Sequence, residues 1–91
     1  FIEAQRTYSR IVLKSGGEHL ATHPLRHFES LLPKGLFFRI HKSYFLNLAM
    51  VSRYDAGRTG YVHLSNGEAL PLAARRKADF LRVLKGEDSE A

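Results

Sequence analysis

The sequence predicts a mainly β domain of antiparallel sheets, with one short helix between strands and a second helix at the C-terminal end. Three observations carry that prediction. Short runs rich in β-branched and aromatic residues recur along the chain, separated by glycine-containing turns. Only two segments place their apolar residues at helical spacing. The resulting order, β-β-α-β-β-β-β-α, lacks the strand-helix alternation that a parallel sheet requires.

The first strand is "YSRIVLK" (8–14), and "SGGE" is a turn whose glycines supply positive φ. "EHLAT" (18–22) returns as the second arm of a hairpin. "HPLRHFESLLP" (23–33) is a helix: Thr22 or His23 caps it, and Pro24 suits the first helical position, where no amide hydrogen is needed. Its apolar face is Leu25, Phe28, Leu31 and Leu32, and Pro33 and Gly35 end it. "LFFRI" (36–40) is a strand, and "HKSYFLN" leaves it as a loop or single turn. "MVSRYDA" (50–56) and "YVHLSN" (61–66) are strands on either side of "GRTG". Asn66-Gly67 signals a two-residue hairpin turn into "EALPL", because both central positions of that turn need positive φ. "AARRKADFLRVL" (73–84) is the last helix, with Phe80, Leu81 and Leu84 apolar. The acidic "GEDSEA" (86–91) is expected to lack order. The chain thus divides into a domain over residues 1–85 and a tail over 86–91.

Ninety-one residues suffice for one small domain with a compact core. No apolar run approaches the roughly 20 residues of a membrane span, and the start has no signal-peptide pattern. The missing initiator Met and the abrupt strand-like opening suggest a domain cut from a longer protein. The absence of cysteine excludes disulfides and thiolate metal sites, and suits a reducing cytoplasm. Charge is more informative. Fourteen Lys and Arg face nine Asp and Glu, but Glu87, Asp88 and Glu90 lie in the tail, so only six acids remain within residues 1–85. Such an excess favours a polyanionic partner (nucleic acid, or less often an acidic membrane surface or protein), while an ordinary basic soluble domain fits the composition equally well.

Other chemistries find little support. His19, His23 and His27 are spaced four apart, but Pro24 and the preceding strand pattern argue against the continuous helix that would align them on a metal. Ser43 and Ser9 lack the glycine-rich turn of an activated nucleophile, and "RIHKSY" holds no acid. No phosphate-cradling or dinucleotide fingerprint occurs. No enzymatic activity and no cofactor are therefore expected. The basic residues fall in three places: Arg6 and Arg10 around "TYS", Arg39 and Lys42 in "FFRIHKSYFLNL", and Arg75, Arg76 and Lys77 after the last strand. Arg, Lys and Ser at strand-to-loop junctions are the groups that contact phosphates and base edges.

"LFFRIHKSYFLNLAMV", the hairpin "GYVHLSNGEALPL" and "AARRKADFL" together resemble the LytTR family of DNA-binding domains. Its members carry a phenylalanine-led stretch of the form R-x-H-[RK]-S-[YF]-x-x-N, matched here by Phe38, Arg39, His41, Lys42, Ser43, Tyr44 and Asn47. The likeness extends to about residue 84. It implies an elongated, mostly β fold of antiparallel sheets that grips duplex DNA with inter-strand loops, as the output domain of a bacterial transcription regulator of the response-regulator, two-component type. Carried over, base-edge contacts fall to Ser9, Arg10, Lys42 and Arg75. Phosphate or supporting contacts fall to Arg6, Tyr8, Arg39, His41, Ser43, Asn47, Arg76 and Lys77. The resemblance also implies paired direct repeats on DNA, a weak or absent homodimer off it, and an input domain ahead of the chain, either a receiver or a membrane sensor. Two departures stand out: Ala73 occupies the place of a usual serine, and the usual opening strand before "FIEA" is absent or truncated. The hydrophobes Phe38, Ile40, Tyr44 and Leu46 are expected inward, with Phe37 on a second face. The alternative to DNA binding is a β-rich protein-interaction or sensory module whose basic face meets an acidic partner.

Overall fold

The computed structural model describes residues 1–55 and 60–85. It forms a five-stranded and a three-stranded antiparallel sheet with two α-helices. Strands β1 (Ile2–Gln5), β2 (Tyr8–Val12) and β3 (Glu18–Ala21) precede helix α1 (Leu25–Leu31), and β4 (Phe37–His41) and β5 (Tyr44–Asn47) follow it. These five strands lie in the order β3-β2-β1-β5-β4. A 3-10 turn at Leu48–Met50 leads to β6 (Val51–Asp55), β7 (Tyr61–Leu64) and β8 (Ala69–Pro71), which form the second sheet in sequence order. Another 3-10 turn, Ala74–Arg76, runs into α2 (Lys77–Leu84).

Two strands were not anticipated: β1, and β5 within the stretch read as a loop. They pair with each other at the centre of the larger sheet, Ile2 opposite Phe45 and Glu3 opposite Tyr44. Both are covered on two faces. Phe1 and Leu46 belong to the core between the sheets, whereas their chain neighbours Ile2 and Phe45 belong to the core under α1. A strand buried on both faces shows consecutive hydrophobes instead of alternation, which hides it from a period-two reading.

The main core gathers Ile40 and Leu46 from the large sheet, Val62, Leu64 and Leu70 from the small one, and Phe80 from α2. Ile40, Leu46, Val62 and Phe80 have no exposed surface. Phe38 and Tyr44 pack on this cluster, and Phe37 packs on the other, as the alternation predicted. Leu25, Phe28 and Leu32 seat α1 on Ile2 and Phe45. Leu31, assigned to the same helical face, instead stands 65% exposed. Pro24 is itself the extended N-cap residue (ψ 165°), one position earlier than expected.

The Asn66-Gly67 turn also differs from expectation. The Leu64 amide donates to the Glu68 carbonyl and the Gly67 amide to the Leu64 carbonyl, closing a three-residue loop in which Gly67 has positive φ (94°). Asn66 stays at negative φ, and its side-chain oxygen accepts from the Glu68 amide. The loop Lys14–Gly16 repeats this design, with Leu13 and Gly17 in the flanking places and Gly16 at 101°. Gly17, one of the two glycines invoked there, does not have positive φ.

No helix among the described residues is long and apolar enough to cross a membrane. The tail expected to lack order, residues 86–91, lies outside the described residues, as do residues 56–59 of the β6–β7 connection.

Phe80 joins α2 to both sheets, its ring 5.8 Å from those of Phe38 and Tyr54. Phe80→Ala is expected to lower unfolding free energy by about 3–5 kcal/mol, read from urea denaturation midpoints.

Candidate nucleic-acid interface

The β1–β5 pairing brings three basic segments to one end of the large sheet. The Ala4 amide donates to the Ser43 carbonyl at 2.8 Å, setting the β1–β2 turn (Arg6 and Thr7) beside the β4–β5 turn (Lys42 and Ser43). The Ala73 amide donates to the Ile40 carbonyl at 2.7 Å, which draws the start of the Ala74–Arg76 turn to the same end of β4.

The Lys42 turn is held from several sides. Arg39 donates from Nε to the His41 carbonyl at 3.0 Å and from Nη2 to the Lys42 carbonyl at 2.6 Å. Its Nη1 pairs with Glu29 of α1. Nδ1 of His41 accepts from the Ser43 amide at 3.1 Å. The polar residues of "RIHKS" therefore fix a two-residue turn and leave the Lys42 side chain exposed. Asn47, four residues on, caps the next 3-10 turn by accepting from the Ala49 amide at 2.9 Å.

The β1–β2 turn is arranged differently. Arg6 is exposed and has positive φ (42°), the one described non-glycine residue that does. Tyr8 is 37% exposed. Ser9, expected at a base edge, is fully buried, and its hydroxyl donates to the His23 carbonyl at 2.6 Å. That bond ties β2 to the approach to α1. Arg10, also expected at a base edge, lies against Glu3 at 2.8 Å and Glu18 at 2.9 Å, and stacks over the Phe1 ring at 5.8 Å. It too is committed to the fold. Burial pushes the Glu3 carboxyl up, but hydrogen bonds from Arg10, Gln5 and Tyr44 and the charge of Arg10 outweigh it, leaving Glu3 below the ordinary 4.5. Burial, followed by the Glu3 charge and hydrogen bond, raises the Tyr44 hydroxyl above 10.0.

In the third segment Arg75 and Lys77 are exposed, whereas Arg76 is half-buried and lines a groove between the helices. Ala73 is the N-cap residue of the 3-10 turn and offers no side-chain cap, so the hydroxyl of a serine at this place is missing. The three spaced histidines fall on separate elements: His19 in β3, His23 before α1, His27 within it. The His23 and His27 rings stack at 3.9 Å. Among the described residues no three His, Asp or Glu side chains group as metal ligands. Sequence reasoning missed Glu3 and Glu29, the acids that hold Arg10 and Arg39; neither has a local signal, because each meets its partner only through the fold.

Two outcomes test this geometry. Because the Glu3 carboxyl is lowered on folding, it stabilises the fold at neutral pH, and that contribution fades as pH falls from about 4.5 through the lower folded value. Glu3→Gln should therefore lose less stability than the parent chain between about pH 6 and about pH 3, measured by urea unfolding. Arg39→Lys keeps the charge but loses the planar fork. Faster amide exchange at Lys42 and Ser43 is expected, read by hydrogen-exchange NMR. Unchanged exchange would show that the turn does not depend on the guanidinium fork.

The LytTr DNA-binding domain family matches residues 1–85. The fold is similar to a solved structure, the LytTr DNA-binding domain of a Bacillus cereus protein described as a methyl-accepting/DNA response regulator. The two agree at a TM-score of 0.76 and 28% identity, over 93% of this chain and 78% of that one. No curated protein matches the chain. Strand order, the Arg39–Asn47 motif and the match over residues 1–85 agree: the chain belongs to the LytTR family of DNA-binding domains.

Proposed function

We propose that this domain binds duplex DNA sequence-specifically through its inter-strand turns, as the output domain of a bacterial transcription regulator acting in the cytoplasm. The observation that carries the reading is the gathering of the Arg6, Lys42 and Arg75 segments at one end of a sheet, each presenting an exposed cation. Lys42 and Arg75 are the base-edge readers, because a fixed turn loses little freedom when it enters a groove. Arg6 and Lys77 contact phosphates, with Tyr8 beside them. Ser9, Arg10, Arg39, His41, Ser43 and Asn47 support these contacts by fixing the loops. Binding requires no cofactor and no chemical step. Two copies occupy paired direct repeats with little or no association off DNA, and an input domain, receiver or membrane sensor, precedes the chain.

Selection of bound duplexes from a random pool, followed by titration near physiological salt, tests the proposal. A repeated motif should be enriched. Arg75→Ala should cost about 1–3 kcal/mol and relax preference at one base position. Lys77→Ala should weaken all sequences alike and reduce the salt slope by about 0.9. Salt-sensitive binding without enrichment would leave only a basic surface, and no duplex binding would favour an acidic protein partner.

A further inference from the structure

A groove of about 570 Å³ runs along the β4 edge between α1 and α2, a volume within the range of roughly 300–1,000 Å³ typical of small-molecule sites. Phe37 and Phe45, stacked at 5.6 Å, form an apolar lining with Leu32, Pro33 and Val83. Its charged lining is unbalanced. Lys34, Arg39 and Arg76 face one acid, Glu29, and Glu29 is already paired with Arg39. Arg76 is half-buried, and although its backbone amide donates to the Ala73 carbonyl, its guanidinium has no hydrogen-bond acceptor or ion-pair partner among the described residues. A partly desolvated guanidinium without an acceptor favours an incoming anion, and a carboxylate matches its fork.

We infer that this groove binds a small amphipathic carboxylate, with its apolar body on Phe37, Phe45 and Val83 and its anionic end at Arg76, and that occupancy weakens DNA binding. The site itself follows from the groove, and only the regulatory half rests on the DNA-binding reading. Coupling is local. An anion at this end of the groove competes with Glu29 for Arg39, and Arg39 is the residue that holds the carbonyls of the Lys42 turn. It also draws Arg76 inward, next to Arg75. A ligand bound more tightly when the turn is loosened must, by reciprocity, be expelled by DNA that requires the turn closed.

The test titrates the ¹⁵N-labelled 91-residue chain with 2-naphthoate and with its neutral counterpart 2-naphthylmethanol. Saturable amide shifts are expected in residues 32–39 and 76–83, with a Kd below about 1 mM for naphthoate and at least roughly tenfold weaker binding of the alcohol. Arg76→Gln should weaken naphthoate about tenfold. Scattered shifts, equal binding of the alcohol, or an unaffected Arg76→Gln variant would overturn the site. Saturating naphthoate should then lower affinity for a selected duplex several-fold, and should lose this effect in Val83→Trp, which fills the groove. Naphthoate binding with duplex affinity unchanged would overturn the regulatory half alone. Naphthoate binding by a chain that binds no duplex would support the groove site and refute the DNA reading.

Discussion

The pairing of β1 with β5 is the constraint on which the rest of the molecule depends. It is the seam between the three-stranded unit β1–β2–β3 and the hairpin β4–β5, which are separate in sequence. Because it is antiparallel, the end of β1 and the beginning of β5 must lie side by side, and so must the turns attached to them. The apolar runs Phe1-Ile2 and Phe45-Leu46 make the seam possible, each giving one residue to the core between the sheets and one to the core under α1. Breaking the seam would therefore open both cores and separate the Arg6 turn from the Lys42 turn.

Around that seam the polar residues act mostly on the protein itself. Arg39 ties two carbonyls of a turn to a helix, His41 receives the amide that completes the turn, and Asn47 caps the segment that leaves the sheet. Glu3 collects hydrogen bonds from Arg10, Gln5 and Tyr44, taking one member each from β2, β1 and β5. Such a half-buried network favours one register over its slipped neighbours, since a one-residue shift would turn Glu3 and Arg10 to the opposite face. The mixed character of "FFRIHKSYFLNL" follows from this: its hydrophobes serve two cores, and its polar groups hold the turn between them.

How much of this was legible in the sequence depended on which signal each element carries. Strands with one buried face, such as β6 and β7, and the two helices announced themselves through periodicity and flanking turn residues. β1 and β5 did not, since residues buried on alternate faces of a central strand read as an unpatterned apolar run. The Asn66-Gly67 turn was located correctly but assigned the wrong length, because its amide and carbonyl pairing with Leu64 and Glu68 has no trace in the dipeptide. At the candidate site the motif marked the turn that carries Lys42. It could not separate the residue that is presented, Lys42, from those that present it, because that division depends on Glu29 in a different element.

The distribution of acids over the basic end explains why the exposed cations remain available to a polyanion. Glu3 and Glu18 are spent on Arg10, and Glu29 is spent on Arg39. These acids neutralise the arginines that serve the fold and sit partly shielded beside them. Arg6, Lys42, Arg75 and Lys77 form no salt bridge among the described residues. An exposed ion pair would gain little stability, about 0–1 kcal/mol, and would have to be broken before a phosphate could replace the carboxylate. Leaving these four side chains unpaired therefore costs the folded state almost nothing, and a phosphate meeting any of them would release counterions without first breaking an ion pair. Net charge alone does not express this: a chain of identical composition with Glu29 beside Lys42 would have the same charge and one fewer unpaired cation at this end of the sheet.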